Sequence, residues 1–276
     1  MAEVIASDLI KKNLRTDKLP HIWCPGCGHG VLMRAVAQAI ESKGLDKKKV
    51  CIVSGIGCSS RAAGYMNFNT LHTTHGRALA FATGLKLANP ELHVIVISGD
   101  GDATAIGGNH FIHAARRNIG ITCIVFNNSI YGMTGGQYSP LTPTNDFATT
   151  APYGNVDRPF DLIKLADASG ATYLARVTSY HAREAAKLIE KGLDNKGFSL
   201  IEGISECPTY YGRKNKKGDA VKIMEWMRDN SIDIKKVRAD GLTAEQTKDK
   251  LIIGEFKNVS ETEYTEAYQK ILDRVR

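Results

Sequence analysis

Two polar turns that follow neighbouring apolar runs carry residue types that bind a divalent cation. Asp100 lies in a glycine-rich turn after the run at 94–97, and Asn128 follows the next run, at 121–126. Because the carboxyl ends of adjacent parallel strands lie at one edge of a sheet, we expect these two side chains to meet there. Magnesium prefers such oxygen ligands together with phosphate oxygens and water, and the backbone carbonyl of Ile130 would supply a third protein ligand.

The residues around Asp100 suit a phosphate as well as a cation. Gly99 and Gly101 leave the backbone accessible on both sides of the carboxylate, and Asp102 adds a second acid to the same turn. Glycine-aspartate turns end many strands, so the alternative is a tight turn in which Asp100 only caps the following helix. The second polar turn, about thirty residues later, favours a site for magnesium and a diphosphate.

Four of the six cysteines lie in turns, where a thiolate can reach a metal. Cys24 and Cys27 form a CxxC motif before a predicted helix, while Cys58 and Cys207 each follow a predicted strand. From this spacing alone, a 4Fe-4S cluster, a four-cysteine zinc site and a redox-active CxxC all stay open. The two other cysteines lie inside predicted strands and are expected to be buried apolar residues.

The segments that position these residues predict an α/β fold, a doubly wound and mostly parallel sheet with helices on both faces. Continuous apolar runs indicate strands that are covered on both faces. They occupy residues 50–53, 94–97, 121–126 and 199–201, with 173–175 as a further candidate. Helical apolar spacing between them, as at 31–40, completes the alternation that a doubly wound fold requires.

We expect one α/β domain over residues 1–207 and a C-terminal extension over 208–276. The domain would hold the diphosphate, the magnesium ion and the thiolate ligands. The extension contains polar helical segments near 220–228 and 261–272, but too few apolar residues for an independent core. The small residues of 77–88 predict a helix that packs closely against the sheet or a partner subunit.

Composition and charge limit the classes of function. The 276 residues are 43% hydrophobic and 24% charged, as in an ordinary globular protein. The net charge of +7 is moderate and does not indicate nucleic acid binding; the one basic run, at 213–217, is a solvated loop or a dock for an acidic protein. Since residues 1–20 lack the apolar centre of a signal peptide and no segment reaches the ~20 apolar residues of a membrane helix, we expect a cytoplasmic protein without membrane association.

The two polar turns, at 98–102 and 127–128, together resemble the thiamine-diphosphate-binding motif. Their continuation at 130–140 is similar to the thiamine-binding beta subunit of the 2-oxoacid:ferredoxin oxidoreductase family, and the resemblance covers residues 19–212. It implies three cofactors, which are thiamine diphosphate, Mg²⁺ and one 4Fe-4S cluster. In that family the cluster ligands are a CxxC motif, a cysteine in a GxGC turn and one in an ECP turn. The matching residues are Cys24, Cys27, Cys58 and Cys207.

The resemblance also implies where the cofactor is bound. The loop at 131–140 would wrap the diphosphate and place Thr134 and the amide of Gly135 near phosphate oxygens. The alternative for this loop is a flexible surface segment. Gly57 and Ser59, in the turn that carries the third cluster cysteine, are expected to line the same site.

The activity implied by the resemblance is the coenzyme A-dependent oxidative decarboxylation of a 2-oxo acid. Electrons would pass from thiamine diphosphate through the 4Fe-4S cluster to ferredoxin. In that family the carboxylate that activates the thiamine belongs to the alpha subunit, so the expected assembly is an alpha-beta pair or a doubled pair. The segment 206–215 is most similar to members that convert 2-oxoglutarate to succinyl-CoA.

Two basic residues are candidates for contact with the substrate or the thiamine. Arg61, three residues after Cys58, would pair with the second carboxylate of 2-oxoglutarate; the alternative is that it binds a phosphate or a surface acid. His75 precedes Gly76 and would face the thiazolium or take part in proton transfer. A loop histidine is more often a solvated or structural residue.

Three other functions stay open on the sequence. The chain could act on pyruvate or a branched-chain 2-oxo acid within the same family. It could be a non-oxidative thiamine-dependent decarboxylase with structural zinc, or a noncatalytic scaffold subunit stapled by a metal. A reducible iron-sulfur protein that contains thiamine would favour the oxidoreductase, and a colourless zinc protein would favour the last two.

Overall fold

The computed structural model describes residues 7–275, which form one mixed sheet flanked by helices. Residues 1–6, part of the stretch for which no signal peptide is expected, lie outside the described residues. Between residues 7 and 275, no helix combines the length and the apolar character that a membrane crossing requires.

Eight strands of the described chain form a single sheet. They are β1 (Val50–Ser54), β2 (Asn69–His72), β3 (His93–Gly99), β4 (Ile121–Asn127), β5 (Tyr173–Thr178), β6 (Ser199–Ile204), β7 (Ser231–Asp233) and β8 (Leu251–Asn258). Their order across the sheet is β2-β1-β3-β4-β6-β5-β8-β7. Neighbouring strands pair in parallel, except that β5 and β8 are antiparallel. The predicted doubly wound, mostly parallel α/β fold is therefore confirmed.

Helices cover both faces of this sheet. They are α1 (Asp8–Asn13), α2 (His29–Ser42), α3 (Ala62–Tyr65), α4 (Ala78–Ala88), α5 (Asp100–Thr104), α6 (Gly108–Arg116), α7 (Leu162–Ala168), α8 (Ala182–Asp194), α9 (Ala220–Asn230), α10 (Ile234–Ala239) and α11 (Tyr264–Val275). Helices α2 and α8 pack on one face, and α4, α6 and α7 pack on the other.

Each inner strand sends alternate side chains into two separate apolar clusters. On β3, Ile95 lies in the cluster under α2 and α8, while Val96 lies in the cluster under α4 and α6. This burial on both faces explains why the apolar runs in the sequence are continuous. Cys51 and Cys123 are buried in the second cluster, as expected for cysteines inside strands.

The C-terminal extension joins the sheet of the domain. Strand β8 pairs with β5 from Tyr173 opposite Asn258 to Arg176 opposite Gly254, with a bulge in the register. The sequence patterns predict α9 and α11 but miss β8, whose residues are mostly only half-buried. The division between residues 207 and 208 stays a prediction, and the two parts share one sheet.

The parallel register brings the carboxyl ends of four inner strands to one edge of the sheet. Ser54 on β1 aligns with Ile97 on β3, and Gly99 at the end of β3 aligns with Phe126 on β4. Strand β4 in turn aligns its last residue, Asn127, with the end of β6. The turns that follow these strands therefore meet at this edge.

Candidate functional site

A cavity of about 210 Å³ lies at this edge, between the turns that follow β1, β2, β3 and β4. Nine residues expected to bind the cofactor line it: Gly57, Ser59, His75, Gly99, Asp100, Gly101, Asp102, Asn128 and Thr134. Gly135 follows Thr134 just outside the lining, and Arg61 lies outside it on the exposed surface. The fold thus gathers turns that are separated by up to about eighty residues of sequence.

Three oxygen-bearing groups meet at the base of this cavity. One terminal atom of the Asn128 side-chain amide lies 3.3 Å from Asp100 Oδ1 and 2.7 Å from the carbonyl oxygen of Ile130. If that atom is nitrogen, it donates to both oxygens; if it is oxygen, three oxygens face one another and need a cation. In an octahedral magnesium shell with bonds of about 2.1 Å, neighbouring oxygens lie about 3.0 Å apart. The observed spacing fits three ligands of one magnesium ion.

The Asp100 carboxyl group is almost fully buried, at 3% exposure. Burial raises the pKa of this group to about 7, although the Ser139 hydroxyl, which donates to it, and nearby backbone amides act in the opposite direction. A buried carboxylate needs a compensating positive charge to remain ionised. A divalent cation beside Asp100 would provide that charge.

The turn after β1 presents a free hydroxyl to the cavity. Ser59 Oγ is buried and has no hydrogen-bond partner among the described residues. A Cβ atom at Gly99 would lie 2.9 Å from this oxygen, so a side chain there would displace the hydroxyl from its present position. An unsatisfied buried hydroxyl of this kind can donate to a phosphate oxygen. Gly101 also makes room for the Tyr131 ring, which would lie 2.2 Å from a Cβ at this position, and its expected contact with the cofactor stays a prediction.

Asp102, which also lines the cavity, connects the turns around it. Its Oδ1 accepts hydrogen bonds from the amides of Gly76, at 2.7 Å, and Ile56, at 3.2 Å. Its Oδ2 accepts from the Ser98 hydroxyl at 2.6 Å. His75 Nδ1 lies 2.7 Å from Oδ1, outside hydrogen-bonding geometry. One buried carboxylate therefore holds the turns after β1, β2 and β3 in register.

The two basic candidates occupy different positions. The His75 side chain lines the cavity at 34% exposure, with its ring centre 6.1 Å from that of Tyr131. Arg61 lies on a short 3-10 turn, where its backbone amide donates to the carbonyl of Cys58 at 3.3 Å. The roles assigned to both residues stay predictions, with His75 better placed to reach a ligand in the cavity.

Three separate segments bring the four candidate cluster cysteines together. The indole of Trp23, just before the CxxC motif, donates to the carbonyl of Cys58 at 2.7 Å. The amide of Gly28, just after the motif, donates to the carbonyl of Glu206 at 3.3 Å, next to Cys207. These two bonds tie the CxxC loop to both of the other cysteine turns, and the thiols are free.

Backbone amides point at the buried thiols. Burial raises the pKa of Cys27 to about 12, and the His29 amide acts against this rise. Burial likewise raises the pKa of Cys58 to about 11, against the Met133 amide, and raises that of Cys207. Amide donors of this kind stabilise thiolates and tune the potential of iron-sulfur clusters. The arrangement fits thiolates that a metal keeps deprotonated.

The thiols surround a glycine. A Cβ atom at Gly132 would lie 3.4 Å from Cys58 Sγ and 3.9 Å from Cys207 Sγ. The distance between the two sulfur atoms is therefore no greater than the sum of these two distances. Between residues 7 and 275, no three His, Cys, Asp or Glu side chains converge as the ligands of one metal ion. Ligation by the four cysteines stays a prediction.

His29 is a buried residue of the site to which the sequence patterns assign no role. It begins α2 at 1% exposure, and its Nδ1 lies 2.8 Å from Ser205 Oγ. Its ring packs on Trp23 and Phe126, and burial lowers its pKa to about 3. A neutral imidazole therefore closes the cavity on the side of the CxxC motif. Its place directly after that motif is the only signal in the sequence.

Comparisons with known proteins give a consistent result. Residues 55–203 match the family model described as the thiamine pyrophosphate enzyme, C-terminal TPP binding domain. The 2-oxoglutarate synthase subunit KorB of Methanothermobacter marburgensis is 55% identical over 252 residues, which are 91% of this chain and 88% of the relative. The subunit of the same name from Methanocaldococcus jannaschii is 48% identical over 265 residues, 96% of this chain and 97% of the relative.

A solved structure is similar over nearly the whole chain. It is that of 2-oxoglutarate:ferredoxin oxidoreductase from Magnetococcus marinus with 2-oxoglutarate, coenzyme A and succinyl-CoA bound. The TM-score is 0.86 at 33% identity, over 96% of this chain and 90% of that one.

Proposed function

Because the chain belongs to the family of 2-oxoacid:ferredoxin oxidoreductase beta subunits, as its motifs predict, we propose that it is the beta subunit of a 2-oxoglutarate:ferredoxin oxidoreductase. The reaction is the coenzyme A-dependent oxidative decarboxylation of 2-oxoglutarate to succinyl-CoA. The observation that carries this proposal is the meeting of Asp100, Asn128 and Ile130 within the matched thiamine pyrophosphate-binding domain.

The cavity residues divide into those that hold the cofactor and those that hold the turns. Asp100, Asn128 and the carbonyl of Ile130 bind Mg²⁺, which neutralises the diphosphate, and Ser59 donates to a phosphate oxygen. Asp102 keeps the surrounding turns in register. When bound, thiamine diphosphate supplies the nucleophilic carbon and the electron sink for cleavage of a 2-oxo acid.

The four cysteines ligate a 4Fe-4S cluster that accepts electrons one at a time. Cys207 is buried and Cys27 and Cys58 are half-buried, and backbone amides are directed at their sulfurs. The neutral ring of His29 fills the space between the CxxC motif and the cofactor cavity without adding charge. Cys58, one of the four cysteines, also lines the cofactor cavity, so the cluster would lie directly beside that cavity.

The partners follow from the incomplete site. The described residues of the cavity include two acids, Asp100 and Asp102, and both are already committed to the cation and to the turns. As in the family that the motifs resemble, the carboxylate that activates the thiamine is supplied by an alpha subunit, in an alpha-beta or doubled alpha-beta assembly. Ferredoxin accepts the electrons. Arg61 pairs with the second carboxylate of 2-oxoglutarate. The complex works in the cytoplasm.

The reaction is tested on the chain co-expressed with its alpha subunit and purified without oxygen. We expect reduction of methyl viologen that requires both 2-oxoglutarate and coenzyme A. A colourless, zinc-containing complex that releases carbon dioxide without reducing the dye would instead be a non-oxidative decarboxylase. Faster reduction of the dye with pyruvate than with 2-oxoglutarate would instead assign the enzyme to the members of the family that use pyruvate.

The cluster is tested by a pair of cysteine variants. Cys207→Ala should lower the iron content per chain and the cluster absorbance, while Cys51→Ala, which changes a cysteine buried in the strand core, should leave both unchanged. Equal iron in the two variants would remove Cys207 from the ligand set. Zinc in place of iron in the unmodified protein would exclude the cluster.

A further inference from the structure

A basic surface adjoins the exposed end of the CxxC loop. Five cations follow Cys207 within fifteen residues of sequence and are exposed: Arg213, Lys214, Lys216, Lys217 and Lys222. We call these five residues the basic rim. None of them forms a salt bridge with a carboxylate in the part of the chain that the structure describes. Their charge is therefore available to a partner.

The rim is next to the most exposed of the candidate cluster ligands. Cys24 is exposed, and Gly26, two residues later, is so close to α9 that an added Cβ would lie 2.4 Å from Ala220 Cβ. The same Cβ would lie 3.6 Å from Pro208, which follows Cys207. The CxxC loop and the start of the rim therefore form one continuous surface, with Val221, 66% exposed, between them.

The loop that carries the rim is anchored to the domain. The Asn215 side chain accepts from the amide of Phe147 at 2.7 Å and donates to its carbonyl at 3.0 Å. The amide of Lys217 donates to the carbonyl of Gly212 at 2.9 Å. Since the backbone between the lysines is held at both points, their attachment points are fixed relative to the domain. Preorganised charges lose less conformational entropy when a partner binds.

A cavity extends the positive charge toward the cluster. It has a volume of about 730 Å³, lies between the domain and the C-terminal extension, and is lined in part by Cys207. Six cations line it, among them Lys217 and Lys222 of the rim, against the three carboxylates of Asp161, Glu202 and Glu206. An excess of one sign of charge in a cleft raises the association rate of ligands of the opposite charge.

The chemistry of this surface favours a transient acidic partner over a permanent subunit. Lysine is depleted from the centres of protein interfaces, and obligate interfaces are large and apolar. The apolar side chains exposed near the rim, Phe147, Val221 and Trp226, lie among its cations. Weak electron-transfer complexes instead bury small areas and are steered by charges around their rim.

We propose that the basic rim and the CxxC loop form the docking surface for a small acidic one-electron carrier protein. The carrier's negative side chains pair with the rim, and its own redox centre comes to rest against Cys24 and Val221. In each encounter one electron would pass from the cluster to the carrier and reduce it, so two encounters would remove the two electrons released by one oxidative decarboxylation. This inference rests on the proposed function, because it requires a cluster at the four cysteines.

The test compares two triple variants of the co-expressed alpha-beta complex with equal changes in net charge. The rim variant carries Lys214→Glu, Lys216→Glu and Lys217→Glu. The control carries Lys235→Glu, Lys236→Glu and Lys270→Glu, which are exposed lysines of α10 and α11. For each complex we would measure the binding of an oxidised acidic ferredoxin by surface plasmon resonance at low and high salt. Reduction of the same ferredoxin and of methyl viologen would be measured in parallel.

The rim variant should bind ferredoxin roughly 10- to 100-fold more weakly at low salt, with little salt dependence left. Its kcat/KM for ferredoxin should fall by a similar factor, while its reduction of methyl viologen stays within about twofold of the unmodified enzyme. The control should match the unmodified enzyme in all measurements.

Three outcomes would overturn the docking surface. Equal weakening in both variants would mean that net charge alone attracts ferredoxin. Loss of the alpha subunit or of viologen reduction in the rim variant would make the rim a structural or subunit contact. Unchanged ferredoxin binding would place the carrier elsewhere. Failure of the proposed function is distinguished by an unmodified complex that reduces no viologen, since the binding measurement does not depend on turnover.

Discussion

Asp100→Asn should stabilise the chain without its cofactors and at the same time prevent it from binding them. Burial raises the pKa of the Asp100 carboxyl from 3.8 to about 7, which corresponds to about 4 kcal/mol at 1.4 kcal/mol for each tenfold change. The introduced amide has nearly the same volume and can still accept the Ser139 hydroxyl hydrogen. The Asn128 amide can turn its oxygen toward the new nitrogen.

The direction of the pH effect follows from proton linkage. The pKa of Asp100 in the folded chain is above its value in the unfolded chain, so the folded state retains a proton that the unfolded state releases between pH 3.8 and about 7. The free energy of unfolding of the cofactor-free chain therefore falls as pH rises through this range. The variant has no charge to bury, so its advantage should be absent near pH 4 and reach about 4 kcal/mol near pH 8.

Cofactor binding should change in the opposite sense. Removing one partner of a buried charge pair costs about 2–5 kcal/mol, which is roughly a 30- to 5,000-fold weaker affinity for magnesium and thiamine diphosphate together. Urea unfolding of the cofactor-free chain, followed by tryptophan fluorescence across the pH range, measures the first effect. Isothermal titration with thiamine diphosphate in the presence of Mg²⁺ measures the second.

Asp240→Asn, at an exposed acid on the surface, is the matched control and should change neither quantity. The reasoning would be refuted by an Asp100→Asn chain that is less stable than the unmodified chain near pH 8. It would equally be refuted by a variant that binds the cofactor with unchanged affinity.

Three shorter predictions concern single positions. Gly132→Ala should leave the free energy of unfolding of the cofactor-free chain within about 1 kcal/mol of the unmodified value, as should the control Gly64→Ala, whose methyl group would point into open space. Gly132→Ala should nevertheless lower the iron content, because its methyl group would contact the thiols of Cys58 and Cys207, two of the proposed cluster ligands. Equal iron in both variants would contradict this. Gly101→Ala should lower the free energy of unfolding, measured in urea, by about 1–3 kcal/mol, because its Cβ would lie 2.2 Å from the Tyr131 ring. A Gly101→Ala chain as stable as Gly64→Ala would contradict this packing. Arg61→Ala should lower kcat/KM for 2-oxoglutarate more than for pyruvate, and an unchanged ratio would remove Arg61 from substrate recognition.

The sequence predicts the inner strands well because their burial is symmetric. Strands β3 and β4 are covered on both faces, so the residues at 94–99 and 121–126 are all apolar or small, and the run itself marks the strand. The edge strand β2 and the strand β8 are only half-buried, and their residues mix polar and apolar types. A bulge in the pairing of β5 with β8 further breaks the alternation. Strands of this kind leave little signal in a single sequence.

The candidate site divides in the same way. Asp100 and Asn128 could be placed together from the sequence, because parallel pairing puts consecutive strand ends at one edge. The function of Asp102 could not, since its partners Gly76 and Ile56 lie 26 and 46 residues away and donate through backbone amides. Backbone donors carry no residue type, so no sequence pattern reveals them.

The cation site and the thiol site adjoin at a single residue, and this determines how electrons can pass between them. The Cβ position of Gly132 lies 3.8 Å from Asn128 Nδ2 and 3.4 Å from Cys58 Sγ. The proposed magnesium ligand Asn128 and the proposed cluster ligand Cys58 are thus separated by little more than the width of one glycine. Since electron transfer weakens steeply with distance, a cofactor and a cluster bound at these residues would be close enough for direct transfer without a further carrier. A side chain at Gly132 would occupy the space between the two proposed sites. We therefore expect Gly132→Ala to lose the cluster and to keep the fold.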